Sequence, residues 1–165
     1  MGVPWAASFG RDRELAALRR LLDQVRRGGR AGRPGRAILI RGRPRVGKSR
    51  LVEEFIERAG VPHVFFTASA QPTTETDLRL FSEAVLTSSL PAAAVFRDQT
   101  PRTWDAALRL LAGCLPDEGP SVVVLDEMPY LIANDPGFEG ICKSFSTASF
   151  PGARCMWCAS ARIWR

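Results

Sequence analysis

The chain has 165 residues, a length suited to one domain, and 45% of them are hydrophobic, enough to build a core and too many for a disordered chain. No apolar run approaches the length of a membrane span, and the opening MGVPWAASFGRDREL lacks the basic start and apolar stretch of a secretion signal. The expected location is therefore the cytoplasm, where cysteines stay reduced.

Taken in chain order, residues 11–27 (RDRELAALRRLLDQVRR) set Leu15, Leu18, Leu22 and Val25 at helical spacing, which predicts an amphipathic helix with an acidic first turn. GGRAGRPGR, 28–36, reads as a flexible turn, and AILIRG, 37–42, as a buried strand. GKSRLVEEFIERAG, 47–60, reads as a helix closed by Gly60, and HVFFTAS, 63–69, as a second strand. Helical patterns return at 75–89 and 101–115, the latter with Thr100 as N-cap and Pro101 at its first position. SVVVLDEM, 121–128, is a third strand running into acids. Strands alternating with helices predict an α/β fold with a parallel sheet flanked by helices.

The formal charge of +6 is uneven: ten basic residues and no acidic one lie between Arg26 and Arg50, so the remainder is net acidic. Such a run is either a solvated Arg/Gly loop beside an anion site or a nucleic-acid patch. No aromatic residues interleave for base stacking, which favours the first reading. Arginine outnumbers lysine 21 to 2, a sign of a GC-rich gene.

GRPRVGKS, 42–49, fits the phosphate-loop pattern G-x-x-x-x-G-K-[ST], with a strand before it and a helix after it. The chemistry requires this arrangement. A triphosphate is a dense anion, which backbone N–H groups and a helix N-terminus can cradle. The candidate nucleotide contacts are Gly42, Arg43, Pro44, Arg45, Val46, Gly47, Lys48, Ser49 and Arg50. Lys48 supplies a point charge to the β and γ phosphates, and Ser49 an oxygen to Mg²⁺. VVVLDE, 122–127, delivers Asp126 to the C-terminal end of a strand, where open α/β sheets bind ligands. Asp126 is the second candidate Mg²⁺ residue, and Glu127 the general base for water. His63 reads as a strand-edge polar residue, Phe81 and Trp104 as core, and Cys114 as a small apolar residue.

SFGRDRELAALRRLL, AILIRGRPRVGKSRLVEEF and VVVLDEMPYL together resemble the prokaryotic AAA-family ATPases related to the STAND class, the archaeal-type ATPases. The resemblance covers about residues 8–140. It implies a P-loop ATPase that uses ATP and Mg²⁺, and it implies that Phe9, Gly10 and Arg11 contact the base side of the nucleotide. A non-hydrolysing nucleotide switch in a DNA-associated regulator is the alternative function. The protein or nucleic-acid partner is not specified by the sequence, and no membrane partner is expected.

After Glu127 the family pattern implies a helix, a loop and an apolar strand ending in Gly-Ser followed by Ser or Asp. ICKSFSTASFPGARCMWCASARIWR, 141–165, shows no clean periodicity and holds three of the four cysteines and two of the four tryptophans. Restoring one nucleotide before the codon for Cys142 opens a GC-rich frame that supplies those parts. It reads as an amphipathic helix, a basic turn, an apolar strand and Gly-Ser-Asp, and it also accounts for the stop after Arg165. The expected organisation is residues 1–141 as the N-terminal part of a P-loop ATPase domain and 142–165 as an out-of-frame tail. On this reading the sheet is incomplete at the C-terminus, the two halves of the site lack a bridge, and turnover is weak or absent. The Cys-x-x-Cys of CMWC, 155–158, is then neither a redox pair nor half a zinc site, since no further ligands stand at a recognised spacing.

Overall fold

The computed structural model describes residues 11–28, 36–42, 46–70, 73–147 and 155–162. The order is α1 (Asp12–Gly28), β1 (Arg36–Gly42), α2 (Lys48–Ala59), β2 (His63–Thr67), α3 (Thr74–Leu86), α4 (Val95–Asp98), α5 (Trp104–Ala112), β3 (Ser121–Asp126), α6 (Met128–Asn134), α7 (Phe138–Thr147) and β4 (Cys155–Arg162). The four strands form one parallel sheet in the order β1-β4-β3-β2. Parallel neighbours need crossovers, and the helices between them supply these and cover both faces.

Alternation along the strands sorts side chains between two cores. On one face α1 and α2 present Leu15, Leu18, Leu22, Leu51, Val52 and Phe55 to Val122, Val124, Met156 and Cys158. On the other face α3, α5, α6 and α7 pack over Val64, Phe66, Val123, Leu125 and Cys155. This second core is aromatic at its centre. Trp104 meets Phe138 at 4.7 Å and Phe81 at 5.3 Å between ring centroids, both edge to face, the geometry favoured by ring quadrupoles. Phe81, Trp104 and Cys114 are thus core residues, as read from the sequence. His63 opens β2, an edge strand of the described sheet, with Nδ1 3.1 Å from the Val61 carbonyl oxygen.

Helix ends follow local chemistry. Gly60 closes α2 in the left-handed region, φ 61°, and its N–H donates to the Ile56 carbonyl. The N-terminus of α5 differs from the expected Thr100–Pro101 start. Thr103 is the N-cap, its hydroxyl oxygen accepting from the Ala106 N–H at 3.2 Å, so the helix begins at Trp104. The sequence offered two threonines three residues apart, and the later one sets the buried register of Trp104.

The larger correction concerns residues 142–165. Among the described residues of that span, 142–147 complete α7 and 155–162 form β4, which occupies the centre of the sheet, where a stretch without periodicity was expected. Ala37 stands opposite Trp157 and Ile40 opposite Ser160 on one side, while Val123 stands opposite Trp157 on the other. The two halves of the site are therefore bridged. A strand covered on both faces needs no polar alternation, and CMWCASA meets that need with small and apolar residues. The turn expected at 28–36 lies, from 29 to 35, outside the described residues.

Candidate functional site

All four strands point the same way, so the loop after β1 and the acids after β3 emerge at one edge of the sheet. Gly47 ends that loop and caps α2. Its φ of 73° and ψ of 35° lie in the left-handed region that glycine enters without steric cost. A side chain there would be strained in backbone and would also meet the Arg11 guanidinium, 3.3 Å from where a Cβ would sit.

Lys48 opens α2 and is buried. No acidic residue stands in the first turn of this helix. A lysine at a helix N-terminus adds its positive charge to that end of the macrodipole, an arrangement that suits an anion. Arg11 adds to it, with Nη1 donating to the Gly47 carbonyl oxygen at 2.7 Å. The same oxygen accepts the Leu51 N–H at 3.0 Å. Arg11 therefore fastens the start of α1 to the end of the phosphate loop.

The decisive contact crosses the sheet. The Ser49 hydroxyl donates to Asp126 Oδ2 at 2.6 Å, joining the residue after Lys48 to the end of β3. These residues lie 77 positions apart; Ser49 is in α2, which follows β1, Asp126 ends β3, and β4 lies between those two strands. Asp126 is buried at 3% exposure. Its other oxygen, Oδ1, accepts the Glu127 N–H at 3.0 Å. Glu127 itself sits at φ 57° and ψ 38°, the one non-glycine residue with positive φ among those described. Such a conformation costs about 1–3 kcal/mol and persists only where its surroundings impose it. Here it turns the chain from β3 into α6 directly after the buried carboxylate.

A hydroxyl and an acceptor-only carboxylate, both hard oxygen donors, fit Mg²⁺ and not a soft metal.

The profile of the AAA ATPase domain family matches residues 7–131. The chain belongs to that family. Among solved structures, the fold of this AAA domain is similar to Drosophila ORC in a structure bound to DNA, with a TM-score of 0.57 and 17% identity, over 93% of this chain and 38% of that chain. It is similar as well to the Aeropyrum pernix ORC1 protein in complex with DNA, with a TM-score of 0.52 and 20% identity, over 93% of this chain and 39% of that one. At those identities the likeness is one of fold, and this chain spans well under half the length of either neighbour. No curated protein matches it.

Within the AAA domain the expected site residues divide as follows. Arg11, Gly47, Lys48, Ser49, Asp126 and Glu127 gather at one edge. Gly42 ends β1, Val46 is exposed, and Arg50 is exposed with Nη1 3.8 Å from Glu53 Oε2. Phe9, Gly10, Arg43, Pro44 and Arg45 lie outside the described residues. Sequence reading missed the C-terminal end of β4. Arg162 stands in register with Gly42, which brings the backbone of residues 160–162 between the two halves of the site. Only the topology reveals this, because no local motif marks it.

CMWC has no chemistry of its own here. Cys155 faces the aromatic core and Cys158 the α1–α2 core, on opposite sides of the sheet. Three residues of strand separate their Cα atoms by about 10 Å, beyond the reach of a disulfide. Burial pushes both thiols up to about 12, so they stay protonated and unreactive. No cluster of three metal-binding side chains occurs among the described residues, and no described helix is long and apolar enough to cross a membrane.

Proposed function

We propose that this chain binds ATP with Mg²⁺ at the edge formed by the phosphate loop, β4 and β3, and hydrolyses it. The 2.6 Å contact between Ser49 and Asp126 carries the reading, because two oxygen donors of the kind that suit Mg²⁺ stand together beside the N-terminal end of α2. Lys48 and the N–H groups at the start of α2 would hold the phosphates. Ser49 and Asp126 would hold Mg²⁺, which supplies charge neutralisation on the phosphate oxygens when bound. Glu127 would accept a proton from the water that attacks the γ-phosphorus, as the bond from phosphorus to the ADP oxygen breaks. Arg11 would hold Gly47, and through it the loop, in place. The test is an ATP titration of the chain and its Lys48→Ala variant in Mg²⁺. Loss of one charge-assisted bond of about 1.5–3 kcal/mol should weaken binding about 10- to 100-fold. Equal affinity in the two proteins would sink the reading.

The DNA-bound state of both structural neighbours favours a second reading, a nucleotide switch in a DNA-associated regulator. It keeps the binding site and drops the turnover.

We also propose that residues 142–165 arise from a one-nucleotide frame change in a longer AAA gene. The supporting observation is positional. In the restored frame the apolar strand would cover the span of β4, and its Gly-Ser-Asp would begin at position 161, opposite Arg41, with its serine opposite Gly42 at the loop. Resequencing the gene from the codon for Tyr130 onward decides it. An open second frame continuing past the codon for Arg165 is the expected result, and a confirmed written frame with no coding sequence beyond it would refute the proposal.

A further inference from the structure

We infer that the outward face of α1 docks on the phosphate backbone of a nucleic-acid duplex. Leu15, Leu18, Leu22 and Val25 fix the inward face of this 17-residue helix. Diametrically opposite, at 3.6 residues per turn, stand Arg13, Arg20 and Arg27, all exposed. Their spacing of seven residues sets three guanidinium groups in one line at intervals of about 10 Å. Ala16 and Gln24, exposed and uncharged, are their neighbours on that face. Arg19 and Arg26 are exposed as well, about 100° or more round the helix from that line, and Asp23 stands about 60° from it. Asp23 lies 3.6 Å from Arg26, and the other acids of the helix, Asp12 and Glu14, belong to its first turn.

Other helices of this protein arrange their charge differently. Arg58, Arg79, Arg109 and Lys143 each pair with an acid four residues away, at Glu54, Glu83, Asp105 and Glu139. Self-neutralised faces are thus the rule in α2, α3, α5 and α7, and α1 departs from it. A solvated face would serve equally well with i,i+4 pairs, which also stabilise the helix. A line of unneutralised cations suits a regular polyanion.

The chemistry of the face selects among polyanions. It carries no exposed apolar side chain larger than alanine, so nothing would enter a lipid interface. It has no aromatic residue to stack on bases. What remains is contact with phosphates, which a duplex presents on each strand at about one per 3.4 Å of its axis, a dense and regular array of negative charge for a row of arginines to meet. Such binding positions a protein without reading sequence. The inference is independent of the ATP reading, since none of these arginines belongs to that site.

The test is fluorescence anisotropy of the full chain with a short DNA duplex of arbitrary sequence, at salt from 50 to 200 mM, an interval over which phosphate contacts of roughly this number change affinity markedly. In R13Q/R20Q/R27Q the slope of log affinity against log salt should fall by about three, and affinity at the lowest salt by tenfold or more. R79Q/R97Q/R109Q removes the same charge from the opposite side of the sheet and should retain both slope and affinity. All six side chains are exposed, and far-UV circular dichroism confirms that each variant is folded. Equal weakening by the two triple variants would overturn the proposal, since net charge alone would then explain binding. So would absence of duplex binding at 50 mM salt, or equal loss of binding to phosphatidylserine vesicles or polyglutamate.

Discussion

Glu127→Gln should leave ATP affinity within a factor of about two and lower the hydrolysis rate by roughly 10²–10⁴-fold, the usual contribution of a positioned general base. Glutamine has the same shape and removes only the proton acceptor. The backbone that carries it should not move. Its N–H still donates to Asp126 Oδ1, and its carbonyl oxygen still accepts the Tyr130 N–H at 3.0 Å. The Ser49–Asp126 pair does not involve the substituted atom, so nucleotide binding should persist. Phosphate release measured beside an ATP titration gives both quantities. Unchanged turnover in the variant would remove Glu127 from the mechanism. A wild-type chain that binds ATP without releasing phosphate, and a variant that behaves alike, would establish the switch reading instead. Glu127→Gly is an informative companion. Glycine relieves the left-handed strain, so that variant should be at least as stable as the parent while equally inactive. That combination would show that the strain serves the position of the carboxylate and not the fold.

The parts legible in the sequence are those in which a short motif determines both conformation and chemistry. GRPRVGKS forces a turn, a close backbone approach and a helix start, and the structure places Gly47 in the left-handed region with Lys48 opening α2. VVVL is apolar because β3 is covered on both faces, and all six residues of Ser121–Asp126 are buried. Asp126 ends that apolar run with a buried carboxylate. Leu15, Leu18, Leu22 and Val25 lie on one helical stripe, and all four are buried.

The parts not legible depend on contacts between distant segments. The hydrogen bond from the Arg11 guanidinium to the Gly47 carbonyl, 36 residues away, has no signature in the motif that singled Arg11 out. Local sequence contains no term for that distance. Thr100 and Thr103 are both adequate N-caps in isolation, and the choice between them falls to the burial of Trp104. The strand order β1-β4-β3-β2 inserts the last strand between two that precede it, and no periodicity predicts insertion. For β4 the usual strand signals are absent too. It contains no β-branched residue and no polar alternation, and its first five residues, Cys155 to Ala159, are small or apolar.

The central place of β4 makes Cys158→Asp the most damaging single change expected in this chain. Cys158 is 2% exposed, stands opposite Ile38 on one side and Val124 on the other, and faces the α1–α2 core. A carboxylate there would find no cation among the leucines, valines and phenylalanine of that core, and would have to ionise unpaired or remain protonated and poorly bonded. Either outcome costs several kcal/mol, set against the 5–15 kcal/mol that a domain has in all. Cys158→Val adds bulk of the right character for a strand and should change stability by less than about 1.5 kcal/mol. Urea unfolding followed by circular dichroism compares the three proteins. The Asp variant should be unfolded or nearly so without denaturant, and it should lose ATP binding with the fold, because Ser49 and Asp126 meet only across an intact β4. An Asp variant as stable as its parent would mean that the written residues 155–162 do not occupy the sheet centre, and the bridge between the phosphate loop and Asp126 would have to come from another segment.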